Sequence, residues 1–146
     1  MDYKEYEKQC EVIRKDNEKY LDLFEKFLEK QGLSPKTIDK HLVNIDFYIN
    51  EYMLYEEPHP LEDGVGMVDM FLGYFFIRKC MWSTPSTIRS NAASIKTFYK
   101  CMMENGKIRK EDYDLLLEDI KDGIPMWLDD CAQYNDPDAP SPFDYF

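Results

Sequence analysis

Apolar residues recur at alternating steps of four and three in two stretches of the chain. Ile38, Leu42, Ile45, Ile49 and Tyr52 form the first run, and Ile88, Ala92, Ile95, Tyr99 and Met102 form the second. Such steps place every member on one stripe of an α-helix. Similar phrases introduce the two runs: "LSPKTI" at 33–38 and "STPSTI" at 83–88. Ser34 and Thr84 suit the N-cap, where a hydroxyl accepts from an orphan backbone N–H. Pro35 and Pro85 suit the first helical position, where no N–H partner is needed. The offset of fifty also reaches backwards, pairing Leu21, Phe24 and Phe27 with Phe71, Tyr74 and Ile77. The repeated unit is therefore a helix, a tight turn and a second helix, over about 17–54 and again over about 67–104. Turn chemistry fills the intervening "YEEPHPLEDGVG". Two units are too few for a solenoid, so they predict two helical hairpins packed across each other.

The remaining pattern is helical too. "MVDMFLGYFFIRKCMW" is apolar on almost every side and is expected to be the central, most buried helix, its aromatics serving as core. Upstream, Tyr3, Tyr6, Cys10, Ile13, Asn17, Tyr20, Phe24 and Phe27 fall at heptad spacing. Bulky aromatics suit a two-stranded seam poorly. The reading preferred over a dimeric coiled coil with Asn17 fixing its register is one or two helices laid along the bundle, with Asn17 capping the second. After Gly106, Tyr113, Leu116, Leu117 and Ile120 mark an amphipathic helix, and Pro125 is expected to open another carrying Trp127, Leu128 and Cys131. Alternating strands and Asn-Gly or Asp-Gly hairpins are lacking. The expected fold is all-α: a bundle of two crossed helical hairpins with an extra N-terminal helix and C-terminal acidic helices. It divides into one helical domain over 1–134 and an acidic, proline-rich tail over 135–146. Within the domain, 1–16 is an N-terminal extension, 17–108 the repeated part, and 109–134 the acidic helices.

Composition narrows the function classes. The chain has 146 residues, of which 44% are hydrophobic, enough for a real core. No run of eighteen apolar residues suggests a membrane span, and the charged start lacks a signal-like stretch, so a cytoplasmic protein is expected. Cys10, Cys80, Cys101 and Cys131 are widely spaced and read as reduced thiols. With His41 and His59 the only histidines, a zinc site is not expected. Nor does the sequence offer a Gly-rich phosphate loop, a Ser/His/Asp set or paired carboxylates in an apolar setting, so neither an enzyme nor a cofactor is expected.

The net charge of −11 conceals an uneven distribution. Residues 1–76 carry nine Lys/Arg against seventeen Asp/Glu; residues 77–110 carry eight against the single Glu104; residues 111–146 carry one against eleven. A basic island thus sits inside an acidic chain. On the second repeat helix Arg89, Lys96 and Lys100 share a stripe, and Ser86, Ser90, Ser94 and Thr97 are expected beside it on the exposed face. Cations neutralise phosphate, hydroxyls donate to phosphate oxygens, and small residues permit close approach, so this face fits a nucleic-acid backbone. The first repeat helix offers Lys36, Lys40, His41 and Asn44, but also Asp39 and Asp46. Two other readings compete: a solvated helix face, or pairing of the island with the chain's own acidic C-terminal segment.

The stretch "YLDLFEKFLEKQGLSPKTIDKHLVNIDFYINEY", then a buried helix, then "WSTPSTIRSNAASIKTFYKCMMENGKI" resembles the N-terminal core-binding (SAM-like) domain of tyrosine recombinases, the phage-integrase family. The resemblance covers 20–108. It implies two crossed hairpins clamping one side of a DNA site, with the second and fourth core helices approaching the duplex. Lys36, Lys40, Asn44, Ser86, Arg89, Ser90, Lys96 and Lys100 are thereby assigned to DNA contact. The family's catalytic domain has no counterpart here, and no His-x-x-Arg occurs: Leu-Val-Asn follows His41 and Pro-Leu-Glu follows His59. The expectation is a non-catalytic module that contacts duplex DNA mainly through phosphates in DNA recombination or integration. A tyrosine recombinase or a second copy of the chain are further possible partners. The alternative is a protein-interaction or regulatory module of a mobile element that no longer binds DNA, or mimics it, with the tail and its "FDYF" as docking elements.

Overall fold

The computed structural model describes residues 1–137, and among these every regular element is helical. The order is α1 (Tyr3–Lys30), α2 (Pro35–Asp46) with a π-helical continuation (Phe47–Tyr52), a 3-10 stretch (Leu61–Gly66), α3 (Val68–Met70), a π-helical turn (Phe71–Phe75), α4 (Phe76–Lys79), α5 (Pro85–Glu104) and α6 (Lys110–Asn135). α3, the π turn and α4 abut to make one rod. No helix among the described residues is long and apolar enough to cross a membrane.

Both repeated helix starts form as the residue types dictate. Ser34 Oγ accepts from the Thr37 N–H at 3.2 Å, and Thr84 Oγ1 accepts from the Thr87 N–H at 3.1 Å. Thr87 Oγ1 in turn accepts from the Thr84 N–H at 2.8 Å, completing a reciprocal capping box. α5 ends in a Schellman motif: Gly106 takes a φ of +74°, and the Lys107 N–H reaches the Met102 carbonyl at 2.8 Å.

α5 is the central helix. It packs against α6 and α2 and touches α1, and its whole apolar stripe is buried. α2 lies between α1 and α5; it buries Ile38 and Ile45, and Ile49 is buried in its π-helical continuation. The rod, expected at the centre, instead leaves Met70 and Tyr74 exposed. A π turn closes its hydrogen bonds one residue further along than an α turn, and the Phe76 N–H bonds the Phe71 carbonyl in this way. The extra residue rotates the chain out of α-helical register. The fifty-residue repeat consequently fails at one position: Phe24 is buried, while its counterpart Tyr74 faces water.

Two further expectations change. α1 is one unbroken helix running through both the predicted extension and the start of the repeated part, and Asn17 lies in its interior. Asn17 caps nothing. Buried, it donates through Nδ2 to the Ile49 carbonyl at 3.3 Å and to Asn50 Oδ1 at 2.8 Å, both in the π-helical continuation of α2. Tyr6 Oη donates to the Leu54 carbonyl just beyond that segment. α6 is likewise one helix, with Pro125 inside it and not at its start. An interior proline costs about 3 kcal/mol through its missing N–H and ring clash. Burial of Trp127 and Cys131 on the same helix offsets that cost. The Trp127 indole lies against Gly123 and Gly73 and donates from Nε1 to Asp69 Oδ1 at 2.7 Å, joining α6 to the rod.

Candidate nucleic-acid interface

Burial of α5 on three sides leaves one outward stripe. Ser86, Arg89, Ala93 and Lys100 are exposed on it, with Lys96 and Thr97 half-buried at its edges. Among the described residues Arg89, Lys96 and Lys100 make no ion pair or hydrogen bond, although the acidic α6 packs directly on α5. The stripe carries no carboxylate before Glu104. On α2, Lys36 and Lys40 are exposed, as are Asp39 and Asp46.

The rest of the basic island is partly engaged. Lys107 Nζ lies 3.3 Å from Glu62 Oε1 and 4.8 Å from the Tyr20 ring centroid. Its pKa is raised by the Tyr20 hydroxyl first and by Glu62 second. Arg109 pairs with Asp112 at 3.3 Å, and the Arg78 guanidinium stacks 4.3 Å from the Tyr74 ring centroid. Of the island's cations, Arg89, Lys96 and Lys100 on the α5 stripe remain without an ion pair among the described residues, as do the exposed Lys79 and Lys110 at the two ends of the island.

The hydroxyl half of the predicted face is spent inside the protein. Ser94 is fully buried and Ser90 half-buried, both turned toward α2. Asn44 Nδ2 donates to Ser90 Oγ at 3.1 Å and to Ser94 Oγ at 3.0 Å, and His41 Nδ1 lies 2.7 Å from Ser94 Oγ. Ser94 Oγ also donates to the Ser90 carbonyl at 3.1 Å. Thr97 turns its hydroxyl back to the Ala93 carbonyl at 2.9 Å. Asn44 and Ser90 are thus partners of each other across a helix contact, and of the α5 hydroxyls only Ser86 stays fully outside. Burial, reinforced by the Lys40 charge, holds the His41 pKa below its usual value of 6.5.

Among the described residues no group of three or more His, Cys, Asp and Glu side chains is placed to hold a metal ion. His59 Nδ1 bonds Asp63 Oδ2 at 3.1 Å within a surface turn. All four cysteines are buried, unpaired thiols, with burial pushing Cys80 and Cys101 up to about 11. Sequence reasoning passed over one surface feature, the exposed pair Met81 and Trp82 between α4 and α5. The signal was present in "CMWSTP", where two large apolar residues occupy a turn. No family model matches this chain, and no curated protein or solved structure is significantly similar to it.

Proposed function

We propose that this chain is a non-catalytic module that binds duplex DNA through its phosphates, with α5 leading, in the manner of the core-binding domain of tyrosine recombinases. In this reading α1 with α2, and the rod with α5, are the two crossed hairpins. Arg89, Lys96 and Lys100 neutralise phosphates, Ser86 donates to a phosphate oxygen at the start of α5, and Lys36 and Lys40 flank them from α2. Asn44 and Ser90 hold α2 against α5 and so set the spacing of the two basic edges. The observation that carries the reading is the stripe of three cations without ion-pair partners among the described residues, on the least covered side of a central helix in an acidic protein. The chain carries a net charge of −11, so a polyanion is favoured where cations gather without carboxylates, as on this stripe.

Titration of a fluorescent duplex at about 50 and 200 mM salt tests this. Three cation–phosphate contacts give a log–log salt slope near −2.7 at about 0.9 per contact. The triple variant Arg89→Ala/Lys96→Ala/Lys100→Ala is expected to lose that slope and most of the affinity. Absence of binding at the lower salt, or equal binding by the variant, rejects the proposal.

A further inference from the structure

Two π-helical segments border one cavity. The first, Phe47–Tyr52, ends in Tyr52, and the second, Phe71–Phe75, ends in Tyr74 and Phe75. These three side chains line a cavity of about 520 Å³, together with Tyr55, Glu56 and Glu57 from the turn after the first segment. π-helical backbone is rare in folded proteins and gathers at functional sites. Here the π turn of the rod is what brings Tyr74 out of the core, and it brings that ring to the edge of this cavity.

The rings are grouped around Phe75. Its centroid lies 4.9 Å from that of Tyr52 and 5.4 Å from that of Tyr55, with the planes inclined at 59° and 67°. A ring face is the negative part of an aromatic quadrupole and attracts a cation. Tyr74 already shows this chemistry, since the Arg78 guanidinium lies 4.3 Å from its ring centroid. Carboxylates add to the attraction. Glu56 is exposed and makes no ion pair among the described residues. Burial first, and the Glu56 charge second, raise the Tyr52 pKa, which places that carboxylate near the ring. Glu57 Oε2 lies 3.7 Å from His59 Nε2. Against these acids the lining has one lysine, Lys79, whose flexible stem lets its ammonium stay in water. We infer that the cavity binds a methylated ammonium group, as carried by choline or by a trimethylated lysine side chain, with Tyr52, Tyr55 and Phe75 around the methyls and Glu56 supplying the countercharge. Methyl groups on the nitrogen leave water for aromatic rings more readily than a bare ammonium does, and the charge is still drawn to ring faces. The cavity's volume lies within the range of small-ligand pockets. The inference stands apart from DNA binding, and its readout contains no nucleic acid.

Saturation-transfer proton NMR on the full chain tests it, because the ligand's methyl signal reports contact with the rings. Choline is compared with its neutral isostere, in which carbon replaces the ammonium nitrogen. Choline is expected to bind about tenfold more tightly, since rings and carboxylate reward the charge. The variant Tyr55→Leu/Glu56→Gln changes two exposed side chains, so its urea midpoint is expected to match that of the native chain, while its preference for the charged ligand is lost. Acetylated and amidated trimethyllysine distinguishes the sources of the group. Tighter binding than choline assigns a peptide side chain, and weaker binding assigns a free small molecule. Equal binding of the isostere by the native chain, or a preference unchanged in the variant, overturns the inference. Absence of transfer to all three ligands at about 10 mM overturns it as well.

Discussion

Asn44 and Ser94 stand fifty positions apart in the chain and are bonded to each other at 3.0 Å. They are also the same position of the repeat. A contact between equivalent positions is what two copies of one unit make when packed about a local two-fold, as in an isologous interface. The repeat visible in the sequence thus meets itself where α2 packs against α5. Ser94→Ala removes the acceptor used by Asn44 and the partner of His41 in a buried setting. A loss of about 1–3 kcal/mol is expected, read as a lower urea midpoint at unchanged slope. A double-mutant cycle with Asn44→Ala is expected to show coupling of about 0.5–3 kcal/mol. Additive single effects would mean that the bond contributes nothing.

Gly123 makes a second prediction with an unusual sign. Gly→Ala inside a helix ordinarily stabilises by about 1 kcal/mol. Here a Cβ would overlap the six-membered ring of Trp127, which also sits where a Cβ on Gly73 would come within 2.8 Å of its Cδ1. Gly123→Ala is therefore expected to destabilise by about 1–3 kcal/mol as an overpacked core does. The emission of Trp127 should shift to the red as its indole is displaced. A more stable variant would show that the indole has room to move.

The parts of this fold legible in the sequence are those that local chemistry decides. Ser34, Pro35, Thr84 and Pro85 start their helices because cap geometry involves only near neighbours, and the stripes from Ile38 and Ile88 follow from helical spacing. The parts that were not legible depend on a third body or on a change of period. Ser90 and Ser94 read as an outward hydroxyl row because the apolar stripe from Ile88 defines only one buried side. Once α2 and α6 both cover α5, the row turns inward, and only Arg89, Lys96, Lys100 and Ser86 keep their predicted outlook. Tyr74 read as buried because nothing local announces a π turn. Pro125 read as a helix start because proline favours that position, yet it lies mid-helix between Gly123 and Trp127, where tertiary packing outweighs local preference.

His41 links the α2–α5 contact to pH. Its folded-state pKa is lowered, by burial first and the Lys40 charge second, from an ordinary value of 6.5. The unfolded chain therefore binds a proton at a pH where the folded chain does not. Stability then rises with pH across the window between the folded value and 6.5, and falls as acid is added through that window. Urea melts between pH 7.5 and pH 5 are expected to show this loss, with a shallower one in His41→Gln, which lacks the titrating group. An identical pH profile for the variant would place the acid sensitivity elsewhere.

Asn17 decides between two uses of the N-terminal heptad pattern. In a dimeric coiled coil an interior asparagine fixes register at a cost in stability, so replacement by leucine strengthens the assembly. In this structure Asn17 is bonded within its own chain, to the Ile49 carbonyl and the Asn50 side chain of the π-helical segment. Its amide thus ties α1 to both the backbone and a side chain of the π-helical turn. Asn17→Leu puts an apolar group against that carbonyl and removes its donor, so a loss of about 1–3 kcal/mol is expected. Light scattering should give the 17.5 kDa monomer mass for the native chain and the variant alike. A variant that melts higher and scatters as a dimer would return the seam to an intermolecular role, and α1 would then be shared between two molecules.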